Sequence, residues 1–176
     1  MLIPISDQSR MHEELKRVRR IIGDPFDLNR RWLKDEHLQV LPVPTGGHFS
    51  GDQSSRLADA FREEGFDHLV AIAAEEMIDD PWLYELDATA ADIDDFSFTC
   101  GATNFVLLPL ESDSVGALCT VNDYALVFGS TVFLERFLFP NTIDQARQEF
   151  RAVYESYAES NRQSLDLGAQ YLAEDR

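Results

Sequence analysis

Carboxylates supply most of the reactive groups in this chain, and they are concentrated. Glu75, Glu76, Asp79 and Asp80 fall within six residues, and Glu85, Asp87, Asp92, Asp94 and Asp95 follow within the next fifteen. Clustered carboxylate oxygens suit hard cations such as Ca²⁺ or Mg²⁺, or the ammonium and guanidinium groups of a basic protein. A dedicated metal loop fails on spacing. Asp92-Ile93-Asp94-Asp95-Phe96 opens like an EF-hand loop, but its fifth position is Phe96, its sixth is Ser97 rather than glycine, and its twelfth is Thr103 rather than glutamate. Glu75, Glu76, Asp79 and Asp80 keep the oxygen chemistry for weak divalent binding. No Cys/His spacing fits zinc, and no metal or cofactor is assigned.

Nucleophilic chemistry needs a partner that the sequence does not place. Cys100 and Cys119 are the two thiols, and His12, His37, His48 and His68 are the available bases. A Cys–His pair must meet in space, so the simpler reading of both thiols is small buried hydrophobes. Ser130 follows Phe128-Gly129 without the G-x-S-x-G of a nucleophile elbow. The loop Thr45-Gly46-Gly47-His48-Phe49-Ser50-Gly51 lacks the G-K-[ST] ending of a phosphate loop and reads as a mobile connector.

What remains is charge. The 176 residues carry a formal net charge of −17, and between Arg62 and Arg136 no Lys or Arg occurs at all. The first 48 residues are close to neutral, so the deficit belongs to the rest of the chain. A body this acidic repels phosphates and anionic lipid, which argues against nucleic acid and membrane surfaces as partners and for a basic protein. Only two of the fifteen basic residues are Lys, and the bland alternative is that salt adaptation or solubility produced the acidity. Two cysteines are too few for a secreted disulfide scaffold, and Met1-Leu-Ile-Pro-Ile-Ser-Asp has neither the basic nor the apolar region of a signal peptide. The expected address is cytoplasmic.

The elements that must hold these residues can be read in outline. Met11, Leu15, Val18 and Ile22 predict an amphipathic helix over 7–22, whose Arg10, Lys16, Arg17, Arg19 and Arg20 are expected to pack on the acidic body. A short helix over 27–35 and an edge strand over 38–43, marked by Pro42 and Pro44, come next. A helix over 52–64 ends at Gly65 in the C′ position, with Phe66 folding back as its apolar contact. The run His68–Ala74 predicts a buried strand, pairing with 38–43 to give a β-α-β unit. Trp82–Leu86 is a further strand and Ala88–Asp95 a short helix or loop. Phe96–Cys100, Asn104–Leu110, Val115–Val121 and Tyr124–Gly129 predict a meander, with Asn122-Asp123 as a two-residue hairpin. Thr142 and Gln145 form a capping box for a long helix to about Ser160, after a helix over 131–139 and before a last turn over 162–173.

The sequence therefore predicts one α+β domain over 1–176: an antiparallel β-meander of about four to six strands flanked by N-terminal and C-terminal helices. The helical segment spans about 1–35, the core about 38–130 and the closing helices about 131–173. The expected function is a non-enzymatic acidic binding protein, in its most concrete form an inhibitor or immunity-type protein covering the basic surface of a partner such as a nuclease. Its partner-binding residues are expected to be Glu75, Glu76, Asp79, Asp80, Trp82, Glu85, Asp87, Asp92, Asp94 and Asp95. Trp32, Trp82, Tyr84 and Tyr124 are candidate aromatic anchors, with core packing as their commoner role. The alternative is a small hydrolase-like cytoplasmic enzyme with a pocket near the 45–51 loop and the 75–80 acidic turn.

Overall fold

The computed structural model describes residues 1–49, 51–74, 83–100 and 103–173. Its centre is an antiparallel sheet whose seven described strands follow the spatial order β1 (Ile3–Pro4), β6 (Leu83–Asp87), β5 (His68–Ala73), β7 (Phe105–Pro109), β8 (Gly116–Cys119), β9 (Tyr124–Gly129) and β4 (Gln39–Pro44). A separate small hairpin pairs β2 (Ile22–Asp24) with β3 (Asp27–Leu28). The chain is thus α+β, with a β7-β8-β9 meander at the middle of the sheet.

Helices cover both faces. Leu41, Leu69, Ala71, Leu107, Ala117 and Val127 point towards α3 (Asp52–Glu63), α4 (Ala90–Cys100) and α5 (Thr131–Leu138). Val70, Ile72, Val106, Leu118, Leu126 and Phe128 point towards α1 (Gln8–Ile21), α2 (Arg30–Asp35) and the C-terminal segment. Because both faces are buried, the central strands are almost wholly apolar rather than alternating. α6 (Ile143–Ser156) gives Ala146 to one core and Phe150 to the other, so it wraps around the β4 edge between them. Thr142 and Gln145 form its capping box.

The β-α-β pairing does not form. β4 and β5 run in the same direction and are joined through α3, but β9, β8 and β7 lie between them. Pro42 and Pro44 lack the N–H donors that an inner strand needs, which confines β4 to the edge. The uniformly apolar β5 takes the inner place, paired on both sides by β6 and β7.

Phe96–Cys100 is not a strand either; it completes α4. Ile93, Phe96, Ser97 and Cys100 are buried at the i, i+3, i+4, i+7 spacing of one helix face, while Phe98 and Thr99 face solvent. The β8–β9 connection takes four residues, Thr120 to Asp123, in place of a two-residue turn. Among the described residues the only non-glycine positive φ is at His37, so Asn122 and Asp123 do not adopt the left-handed conformation of a type I′ turn. Side chains hold the connection instead. Thr120 donates its hydroxyl to the Tyr124 carbonyl at 2.6 Å, and the Asn104 side-chain oxygen accepts the Val121 amide at 2.7 Å.

Candidate functional site

The acidic residues come together where β6 passes into α4. Thr89 accepts the Asp92 amide on its hydroxyl at 3.2 Å and so caps the first turn of α4. That places Asp92 at the positive end of the helix dipole, where a carboxylate is favoured. Asp92 is only 8% exposed. It accepts the Asp87 backbone amide at 3.1 Å and forms an ion pair with the amino group of Met1. The hydrogen bond to Asp92, followed by the charges of Asp92, Asp87 and Asp95, raises the pKa of that amino group above its ordinary value. Asp92 alone contacts the ammonium, and Asp87 and Asp95 act on it through their charge.

The neighbouring acids have structural partners as well. Glu85 pairs with Arg10 of α1, Asp87 meets His68 Nδ1 at 3.0 Å, and Asp94 accepts the Ser54 hydroxyl of α3. Asp95 is exposed. Glu85, Asp92 and Asp94 thus fasten the β6–α4 corner to the rest of the fold, leaving Asp87 and Asp95 as its solvent-facing charges. Glu75, Glu76, Asp79, Asp80 and Trp82 lie outside the described residues. Asp87 stands opposite His68 in the β5–β6 pair.

The basic helix α1 lies against the acidic body. Arg17, 14% exposed at its side chain, pairs with Asp113 and with Glu14 at 3.1 Å. Its guanidinium also donates to the carbonyls of Pro109 (2.7 Å), Leu110 (3.3 Å) and Ser112. One side chain thereby ties α1 to the connection between β7 and β8. Arg20 reaches the same Asp113 from the outside. A cleft of about 280 Å³ opens beside this cluster, lined by Glu13, Glu14, Glu111 and Asp113 among others.

Phe49 is fully buried and packs edge-on against Phe137, with ring centroids 6.3 Å apart. The 45–51 loop is therefore pinned through an aromatic anchor instead of being a free connector, because burying a phenyl ring outweighs the flexibility of its glycines. Neither the 280 Å³ cleft nor a larger groove between α3 and α5 includes His48 or Cys100. Among the described residues, no group of three or more His, Cys, Asp or Glu is placed to hold a metal ion. No helix among them is long and apolar enough to cross a membrane.

Both thiols are buried. Burial pushes Cys100 up to about 11, from an ordinary 9.0, and raises Cys119 well above that value. The thiolate is the nucleophile, so neither is poised to react at neutral pH. A disulfide reagent at about pH 8 is expected to label neither thiol in the folded protein and both in denaturant. Fast native labelling of Cys100 would restore the nucleophile reading. The unfolded chain releases the Cys100 proton near 9.0 while the folded chain holds it to about 11. This thiol's share of stability is consequently intact below the unfolded value and lost as pH climbs through that interval.

No family model matches the chain, and no curated protein or solved structure matches it. Its surface must be read from its own residues. Trp32 and Tyr124, two of the candidate anchors, are core residues, and Tyr84 is half-buried against Phe96. Among the described residues the exposed aromatics are ones not expected as anchors: Phe98 on α4 at 87% and Phe139 after α5 at 75%. Phe98 was recoverable from the helical spacing of Ile93, Phe96 and Cys100, which leaves it on the opposite face. Nothing local in the sequence distinguishes Phe139 from its buried neighbour Phe137.

Proposed function

We propose that this chain is a non-enzymatic acidic binding protein that engages a basic surface on a partner protein. The observation that carries this reading is the β6–α4 corner, where Asp87 and Asp95 face solvent beside the buried Asp92 within a stretch containing no Lys or Arg. A partner's lysine or arginine supplies the cation that this stretch lacks. The start of α4 favours ionised carboxylates there, and the paired residues Glu85, Asp92 and Asp94 keep the corner rigid. Preset charge of this kind accelerates encounter with a basic partner and discriminates against acidic ones. An inhibitor or immunity-type protein that covers the cationic active site of a nuclease is the most specific form of the reading.

The test is capture from host lysate by the wild-type chain and by a variant with Asp79, Asp80, Asp94 and Asp95 all replaced by Lys, each checked for folding by circular dichroism. A basic protein should be retained at low salt, released near 0.5 M salt where screening acts within about 4 Å, and lost at least tenfold with the variant. Undiminished retention by the variant would sink the proposal. So would captured proteins with no basic surface.

A further inference from the structure

Residues 159–173 are joined to the fold through side chains rather than backbone. α6 ends at Tyr157 and Ala158, whose extended conformations (φ −74°, ψ 140° and φ −58°, ψ 145°) break the helix. Beyond them come a 3₁₀ helix (Glu159–Ser164), the five-residue α7 (Asp166–Gln170) and a closing 3₁₀ turn (Tyr171–Ala173). Helices this short do not hold themselves, because nucleation costs more than one or two turns return. Among the described residues, the backbone hydrogen bonds of this stretch all stay within 158–173. What fastens it is a small set of inserted groups. Leu165 and Tyr171 are buried in the same cluster as Tyr124 and Phe150. Gly168 lies against those two rings, where an added methyl group would meet Phe150 Cζ at 2.8 Å. The Tyr171 hydroxyl donates to Asp27 Oδ1 at 2.5 Å, and the Arg30 guanidinium sits 3.9 Å from the ring centroid. Burial, then the hydrogen bond to Asp27, raises the Tyr171 phenol above its ordinary value, so it remains a donor at neutral pH. Tyr154 to Asp166, Arg162 to the Glu155 carbonyl and Arg30 to Gln170 are exposed contacts that water can replace.

We infer that residues 159–173 form a strap that swings open about Tyr157–Ala158 while the sheet stays folded, with Tyr171 on Asp27 as its latch. A segment held by a few buried side chains, with no backbone ladder to its neighbours, belongs to the low-stability end of a structure and opens before the core. Opening uncovers the Tyr124 and Phe150 rings beside Asp27 and Arg30. The strap packs on β4 and β9 at one edge of the sheet, whereas the acidic corner lies at the opposite edge, beside β6 and β1. The inference therefore goes beyond the acidic-binder reading, and neither depends on the other.

The test is native-state amide hydrogen exchange of the full chain at rising, sub-denaturing urea. The Leu165 and Ala169 amides, bonded to the Arg162 and Leu165 carbonyls, report the strap, and β7 and β8 amides report the sheet. Strap amides should exchange about a hundredfold faster than sheet amides and respond little to urea, because opening the strap exposes little surface. Tyr171→Phe should speed them about tenfold, the effect of losing one buried hydrogen bond to a carboxylate. Gly168→Ala should speed them as well, since its methyl group is crowded against Phe150 only in the closed form. A common rate and urea slope for strap and sheet amides would mean that the strap leaves only on global unfolding, which overturns the inference. Strap amides that Tyr171→Phe does not move would overturn the latch.

Discussion

Arg17→Ala is expected to lower the unfolding free energy by roughly 3–5 kcal/mol, the range for breaking one side of a buried ion pair. The guanidinium satisfies two carboxylates and three backbone carbonyls at once. Truncating it leaves Glu14, itself 8% exposed, with a charge that has lost its counter-ion, and leaves the Pro109–Ser112 carbonyls without that donor. Such groups cost more unpaired than they contribute when paired. Arg20→Ala is the control. It contacts the same Asp113, but its side chain is 59% exposed, and removing a surface pair is worth about 0.5 kcal/mol or less. Urea unfolding of the two variants gives the comparison directly. Equal midpoints would mean that Arg17 does not hold α1 to the β7–β8 connection. The result bears on function too, because α1 also pairs Arg10 with Glu85 at the acidic corner. Loosening α1 removes one of the fixtures that preorganise that corner.

Arg17 also shows where sequence reading succeeds and where it stops. The amphipathic pattern of 7–22 places Val18 inward and the arginines outward, and the expectation that they lie against acidic body matches the pairs of Arg10, Arg17 and Arg20. Apart from the local Arg17–Glu14 pair, the acids they meet lie more than seventy residues away in sequence, and no local signal carries that. The strands β5, β7, β8 and β9 were legible because continuous apolar runs have few other uses, and α6 because its capping box is a local hydrogen-bond pattern. The error at α4 has a definite cause. Phe-Ser-Phe-Thr alternates like a half-exposed strand and is rich in strand-favouring residues, whereas the helical stripe of Ile93, Phe96 and Cys100 needs a longer window. Tertiary burial of that stripe against the sheet decided the matter. The acids of the candidate site were found by composition, but composition is blind to pairing. It weighs Asp95, which faces solvent, equally with Asp92, which is buried in an ion pair.

Gly116→Ala is expected to cost about 3 kcal/mol, the upper end of what overpacking a filled core entails. Gly116 lies on β8 between β7 and β9, and a methyl group there would meet Phe128 Cζ at 2.6 Å, the Leu107 carbonyl oxygen at 2.7 Å and Leu108 Cδ2 at 2.7 Å. The missing side chain is the space into which the Phe128 ring extends. That ring is fully buried and meets Trp32 edge-on, with centroids 5.5 Å apart, so it cannot swing aside without disturbing α2. The two positions should therefore be coupled. Phe128→Leu alone should cost on the order of 1 kcal/mol, as a hydrophobic exchange that leaves a small void. In its presence the penalty of Gly116→Ala should fall by about 1 kcal/mol, a coupling typical of residues in contact. The penalty should not vanish, because the Leu107 carbonyl belongs to the paired β7 backbone and cannot retreat without straining the ladder. Thermal or urea unfolding of the four proteins in this cycle measures both statements. Strictly additive costs would show that Phe128 is not the obstacle. Complete rescue would show that the β7 carbonyl yields more readily than a strand paired on both sides should allow, since β7 is held by β5 as well as β8.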